Sequence, residues 1–285
     1  MSSEHPKSDT QTKSATYDPK LSPEEMQHTI SALGIKKANT KIWQLFVLGV
    51  LAGLYIALGA QVFLVALQQG MGKIVAGAVF SVGLVLVVVA GAELFTGNLV
   101  MIVGAIGGHF RFRRIYRNWI TVFSGNMVGC VLTAILVWHS GLLGNSSDSL
   151  NELGQLAAGI ADAKLAIPFV PALIRGFFCN ILVILAIILA TISKDVISKI
   201  FCCILPITAF VACGFEHCIA NLYLIPLGFL AKGAPLAEYA MILKNIVPVT
   251  IGNILGGLFV ILIHPNRLRQ LVMLRHTRRK KGLVA

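Results

Sequence analysis

Charge is what this sequence has least of. Only 13% of its 285 residues are Asp, Glu, Lys or Arg, about half the share of a soluble domain, while 56% are hydrophobic. Acids are the scarcer kind, 12 against 24 Lys and Arg. An ordinary water-soluble enzyme is thereby excluded. No disulfide or metal framework is expected either: Cys130, Cys179, Cys202, Cys203, Cys213 and Cys218 all lie in apolar stretches, without zinc-ligand spacing to paired histidines, and read as small buried hydrophobes. The start lacks the basic, apolar and cleavage regions of a removable signal peptide.

What is present is a series of long uncharged runs, and with them a polytopic membrane protein. Residues 1–41 form a polar tail in which Ser22-Pro23-Glu24-Glu25 predicts a capping box, and Met26, Ile30 and Leu33 predict a short amphipathic helix stopping at Gly34. A surface-lying helix and a partner-binding helix are both compatible with that pattern. Residues 42–263 hold six predicted spans. Ile42–Leu67, Trp119–Leu143, Pro171–Ile192 and Ile246–Ile263 each suit one crossing, at about 20 residues per span. Ile74–Phe110 and Ile200–Leu230 are too long for one helix, and each contains one acid, Glu93 or Glu216. Residues 264–285 are a basic tail. With the N-terminus in the cytosol, nineteen Lys and Arg fall inside and five outside, so both termini are expected to be cytoplasmic. The basic run Arg275–Lys281 then anchors the topology, and no recognition module points to nucleic acid.

The two overlong runs are related. Gly91-Ala92-Glu93-Leu94-Phe95-Thr96-Gly97-Asn98 shares its Gly, Glu and Asn with Gly214-Phe215-Glu216-His217-Cys218-Ile219-Ala220-Asn221, and Asn118…Gly125-Asn126…Gly129 shares its spacing with Asn245…Gly252-Asn253…Gly256. Two similar halves of three spans must run in opposite directions, which is an inverted repeat, and Gly-flanked breaks at matching places are the usual pointer to a substrate path. Backbone leaving the helix at membrane depth must be buried in protein or line a polar cavity. The expected fold is an all-α membrane protein with six transmembrane helices, an inverted repeat and two broken helices framing one conduit.

Ala90–Asn98, Phe210–Asn221 and Pro248-Val249-Thr250-Ile251-Gly252-Asn253 resemble the signatures of the formate/nitrite transporter family, over roughly residues 30–263. The resemblance implies an aquaporin-like protomer in a homopentamer, one pore per subunit. No Asn-Pro-Ala motif is present, which disfavours a true aquaporin.

His217 is the only histidine deep in a span, and an intramembrane ionisable residue is a functional candidate by default; the competing reading is a histidine that satisfies freed backbone groups. The resemblance places it mid-pore, handling the permeating anion. Thr96 is expected opposite it, as substrate contact or as a cap for freed N–H groups. By resemblance Leu94 and Phe95 help form the constriction, and Phe80, Leu84, Val183 and Phe210 line an apolar pore. Lys164, sixteen residues before Asn180, resembles the family's vestibule lysine, and Asn180 its fourth-span asparagine. Glu93 and Glu216 are expected to bond unsatisfied backbone at the breaks, a proton relay being the alternative, and Asn98, Asn221 and Asn253 to lock the half-helices together.

The function expected is passage of small monovalent weak-acid anions, most directly formate, with transient protonation at His217. Phe215 fits formate-type members, where nitrite-type ones tend to carry tyrosine; nitrite is the alternative, with hydrosulfide and lactate behind it. No cofactor is expected. A membrane redox subunit would need facing His or Cys ligands, and a mere scaffold would not need two broken helices around a histidine. The resemblance leaves open whether segment 22–34 gates the pore.

Overall fold

A computed structural model describes residues 23–263; the Ser22 cap and the basic tail 264–285 lie outside them. The described residues are helical, in the order α1 (Pro23–Asn39), α2 (Ile42–Gln68), α3 (Gly72–Phe80), α4 (Val82–Val89), a 3-10 turn (Gly97–Val100), α5 (Met101–Ile106), α6 (Arg113–His139), α7 (Glu152–Leu165), α8 (Phe169–Ile192), α9 (Val196–Ala212), α10 (Cys218–Ala231), a second 3-10 stretch (Leu236–Ile242) and α11 (Leu243–Ile263). Among the described residues, five helical segments are long and apolar enough to cross a bilayer: Ile42–Gln68, Gly72–Val89, Arg113–His139, Phe169–Ile192 and Leu236–Ile263. The chain is a multi-pass membrane protein, and the large apolar side chains it leaves exposed, such as Ile120, Phe201 and Leu205, suit a hydrocarbon surrounding.

Two segments break where the sequence predicts. After α4 the chain turns at Gly91 (φ 80°), and after α9 at Gly214 (φ 70°). Both turns close with the same bond, from Ala92 N–H to Val87 O at 2.9 Å and from Phe215 N–H to Phe210 O at 3.0 Å. This is a Schellman-type stop, and its positive φ is why glycine stands at both places. The chain then runs non-helically to Gly97 in the first half and to Cys218 in the second.

The two halves repeat beyond these breaks. Parallel α2 and α6 pack as α8 and α11 do, and each pair closes on small residues. A Cβ on Gly129 would meet the Val50 carbonyl oxygen and lie 2.9 Å from Leu54 N; one on Gly256 would meet the Phe177 oxygen and lie 2.8 Å from Phe177 C. The backbones touch where a side chain would stand, as in other close membrane helix pairs.

Three expectations are revised. Helix α1 does not stop at Gly34 but continues to Asn39, and it packs on α5 with Ile30, Ser31 and Ala38 buried; it is the counterpart of α7. Residues 152–165, which fall between two predicted spans, form α7, capped by the Asn151 side chain, which accepts from Gly154 N–H at 3.0 Å. Cys213 is exposed rather than buried. Between α8 and α9, Asp195 caps α9 by accepting from Ser198 N–H at 2.8 Å, and that bond holds its carboxyl below the ordinary carboxylate value.

Gly129→Val and Gly256→Val should each destabilise the protein by at least about 1–3 kcal/mol, the usual cost of overpacking. The measurement is thermal unfolding in detergent, with Gly159→Ala, whose Cβ would meet nothing within 4 Å, expected to leave the midpoint unchanged.

Candidate functional site

Each break frees backbone groups that water cannot reach, and an asparagine takes them up. Asn126 Oδ1 accepts from Phe95 N–H at 2.9 Å, while its Nδ2 donates to Gly49 O at 2.8 Å and Glu93 O at 2.9 Å. Asn253 does the same in the other half, accepting from Cys218 N–H at 2.9 Å and donating to Gly176 O at 2.8 Å and Glu216 O at 3.0 Å. Both side chains are fully buried and use the acceptor and both donors of the amide.

A second network repeats just as closely. Lys37 Nζ pairs with Glu93 Oε2 at 2.8 Å; Asn98 Nδ2 donates to that oxygen at 2.7 Å and to Asn118 Oδ1 at 2.8 Å; Asn118 Nδ2 donates to Lys37 O at 3.4 Å. Opposite, Lys164 Nζ pairs with Glu216 at 2.9 and 3.0 Å; Asn221 Nδ2 donates to Glu216 Oε2 at 2.6 Å and to Asn245 Oδ1 at 2.7 Å; Asn245 Nδ2 donates to Lys164 O at 2.9 Å. The glutamates therefore do not bond freed backbone through their carboxylates, as expected from sequence. Asparagine does that work, and each carboxylate binds a lysine and an asparagine. Lys37 was missed, although it precedes Lys164 by the same 127 positions that separate Asn126 from Asn253.

Each network borders a cavity. One, of about 280 Å³, is lined by Lys73, Lys164, Arg175, Glu216, His217 and the rings of Phe80 and Phe210. The other, of about 330 Å³, is lined by Lys36, Lys37, Lys199, Glu93 and Leu94. No residue borders both, and three cations stand in each. Sequence reasoning had placed these two sets of cations on opposite sides.

Between the cavities lies the departure from symmetry. His217 occupies the position that Leu94 holds in the other half. Its Nε2 is 3.0 Å from Thr96 Oγ1, and Nδ1 accepts from Ala220 N–H at 3.2 Å, capping α10. With Nδ1 an acceptor, a neutral imidazole carries its proton on Nε2 and donates it to Thr96 Oγ1. The Thr96 hydroxyl hydrogen is then left to face a third group. Thr96 makes no capping bond of its own, so that alternative falls away. Both side chains are buried, Thr96 fully and His217 with 4% exposure. Phe210 stacks on the His217 ring (6.0 Å, 22°) and meets Phe80 edge-on at 5.8 Å, giving an apolar wall on the side of the first cavity.

The remaining candidates are more scattered. Leu84 and Val183 are buried but border neither cavity. Phe95 turns away, against Trp119 at 6.1 Å and Phe123 at 5.1 Å. Asn180 Nδ2 donates to Asn253 O at 2.7 Å and Thr96 O at 3.4 Å, tying α8 to both α11 and the first break. Among the described residues no cluster of His, Cys, Asp and Glu could hold a metal ion.

Comparison with known proteins gives consistent matches. The family model described as "Formate/nitrite transporter" matches residues 24–265. The chain is 36% identical to the formate channel FocA of Haemophilus influenzae over 261 residues, covering 83% of this chain and 90% of that one. It is 33% identical to FocA of Escherichia coli K12, with the same coverage, and 38% identical to a probable formate transporter of Methanothermobacter thermautotrophicus, covering 83% and 92%. Among solved structures, a pentameric formate channel with formate bound is similar with a TM-score of 0.68 and 30% identity, over 82% of this chain and 98% of that one. An FNT family ion channel matches with a TM-score of 0.74 and 27% identity, over 86% and 98%.

The Lys–Glu pairs give a test of the repeat. Removing one partner of a fully buried pair costs about 3–5 kcal/mol, and less here, because the four side chains keep 7–15% exposure. Lys37→Met and Lys164→Met should each lower the detergent unfolding midpoint. Lys37→Met/Glu93→Gln and Lys164→Met/Glu216→Gln should each recover part of the loss, to similar extents in the two halves.

Proposed function

Because the chain belongs to the formate/nitrite transporter family, whose members are channels and transporters and not enzymes, we propose that it conducts formate across the plasma membrane as a homopentamer with one pore in each protomer. The relatives named as formate channels and the pentameric neighbour support this reading. In it, α3–α5 and α9–α10 are two interrupted crossings, which with α2, α6, α8 and α11 make six. The cavity with Lys36, Lys37 and Lys199 faces the cytosol, as do both termini, because the arginines at the start of α6 lie on that side and positive charge favours it.

The observation that carries the mechanism is the Thr96–His217 pair between two cation-lined cavities. Cations in each mouth, Lys73 and Arg175 in one and Lys36 and Lys199 in the other, concentrate anions, but Phe80 and Phe210 also line the one and Leu94 the other, so the way between them is apolar. A bare anion there costs tens of kcal/mol by Born estimates. Protonating a carboxylate of pKa about 3.9 at pH 7 costs about 4 kcal/mol. Neutralisation is the cheaper way across.

The bond at Nδ1 favours one of two ways to achieve it. A neutral His217 has its one proton on Nε2 and cannot give it up without becoming imidazolate. A cationic His217 would carry hydrogen on Nδ1 as well and lose the Ala220 cap. The dyad therefore works as a neutral donor chain, from Nε2–H to Oγ1 and from the Thr96 hydroxyl to the anion. It holds and orients the anion at the apolar passage, while a proton from the bulk solution, relayed as hydronium through water in the mouth, neutralises it, so that no hydroxide is left behind. Thr96 and His217 are the residues assigned to the anion, Lys73, Arg175, Lys36 and Lys199 to its recruitment, Lys164 and Lys37 to pairing the glutamates at the two mouths, and Asn180 to holding the dyad's backbone.

Radiolabelled formate uptake into proteoliposomes between pH 5 and 8 is the test. Wild-type uptake should rise with an inward proton gradient, and His217→Asn and Thr96→Val should each reduce it by at least about tenfold, as loss of a hydrogen bond to a charged group of about 1.5–3 kcal/mol implies. Equal uptake by wild type and both variants would remove the mechanism. A wild type inert to formate but active with nitrite, hydrosulfide or lactate would move the substrate and keep the pore.

A further inference from the structure

Away from the pore, the start of α6 carries a concentration of positive charge that the repeat does not call for. His109, Arg111, Arg113, Arg114, Tyr116 and Arg117 line an open bowl of about 850 Å³, which Ile42 of α2 also borders. No acid lines it. Two of the arginines are tied down: Arg117 Nη2 donates to Ala38 O at 2.8 Å and Thr40 O at 3.1 Å, and Arg114 Nη1 donates to Asn39 Oδ1. The guanidinium groups of Arg111 and Arg113 have no partner among the described residues.

Electrostatically this is a poor arrangement for a protein left to itself. Arg113, Arg114 and Arg117 stand in the first turns of a 27-residue helix with no acid in its first turn, so their charges add to the positive end of its dipole instead of opposing it. Membrane orientation accounts for positive charge on this side but not for guanidinium groups gathered round one bowl, and the repeat does not call for them: at its offset of 127 positions, Arg111, Arg113, Arg114 and Arg117 correspond to Glu238, Ala240, Met241 and Lys244. Arginine forks match phosphate oxygens two at a time. The bowl also continues into an apolar strip. Ile42 and Tyr116 border it, 55% and 61% exposed, and one turn further along the parallel helices Phe46 and Ile120 are exposed as well. A free phosphate would have no use for that strip, whereas acyl chains would lie along it.

We propose that the bowl binds the headgroup phosphate of an anionic membrane lipid, with Arg111 and Arg113 as its free ligands and the chains along Ile42, Phe46, Tyr116 and Ile120. Basic pockets between membrane helices commonly serve this use. Because Arg114 and Arg117 hold the α1–α2 junction, an occupied bowl also fixes the end of α1, one to three residues beyond Lys37. The proposal is independent of which anion permeates.

Purified full-length protein and Arg111→Gln/Arg113→Gln would be titrated with phosphatidylglycerol, phosphatidylcholine and inorganic phosphate, bound molecules being counted by native mass spectrometry. The wild type should retain phosphatidylglycerol at least about tenfold more tightly than phosphatidylcholine. The variant should lose that preference while keeping its lipid-free melting temperature. A wild type without the preference, or a variant that retains it, overturns the site. Full displacement of the lipid by millimolar phosphate would assign the bowl to a free anion. A variant that binds lipid normally but changes its subunit count would assign the face to a second copy of the chain.

Discussion

A helix interrupted inside a bilayer leaves N–H and C=O groups that no water reaches, and everything else in this protein depends on how those groups are met. One asparagine per half meets them. Asn126 and Asn253 each spend the amide oxygen and both N–H donors on backbone of the break and of the neighbouring helix. That geometry holds only if α6 stands against α2, and α11 against α8, with no side chain between, which is why Gly129 and Gly256 sit at the closest contacts. The break is thus stabilised by packing that glycine makes available and by amides that packing holds in place.

Charge is managed by the same repeat. Each intramembrane carboxylate is compensated twice, by a lysine from a flanking helix and by an asparagine from its own break. With the glutamates occupied, Lys36 and Lys199 on one side and Lys73 and Arg175 on the other supply the excess positive charge of the two cavities. The scaffold is symmetric and the chemistry is not. His217 faces Leu94, Thr96 faces Ile219 and Phe210 faces Val87 across the repeat, so the polar donors and the aromatic wall occur once, where one half departs from the other.

The sequence carried the architecture because a membrane makes its demands in plain units: uncharged runs set the helices, and two glycine-flanked acids in overlong runs set the breaks. His217 and Thr96 were legible for the same reason, as polar groups where polar groups are expensive. Less legible were the partners. Lys37 looked like one tail lysine among several, and α7 fell between two predicted spans, because nothing local in either segment reports a contact made 52 or 56 positions away. The offset of 127 positions would have found both had it been extended outward from Asn126 and Asn253. Phe95 shows the reverse limit: its place in the motif was clear, but its ring packs against Trp119 and Phe123, and side-chain direction inside an irregular loop is set by neighbours and not by periodicity.

The repeat also changes what the N-terminal helix can be. If α1 were an appendage, its removal would leave the conduit intact. As the counterpart of α7 it supplies Lys37 to Glu93 and its carbonyl oxygen to Asn118, just as α7 supplies Lys164 to Glu216 and its carbonyl oxygen to Asn245. Any gate that moved α1 out of place would have to leave Glu93 without its cation, beside a break whose asparagines are already committed. Such a movement would be costly unless another cation replaced Lys37. A gate built on α1 therefore has to give Glu93, which lines the cavity with Lys36 and Lys199, another partner before the helix can leave.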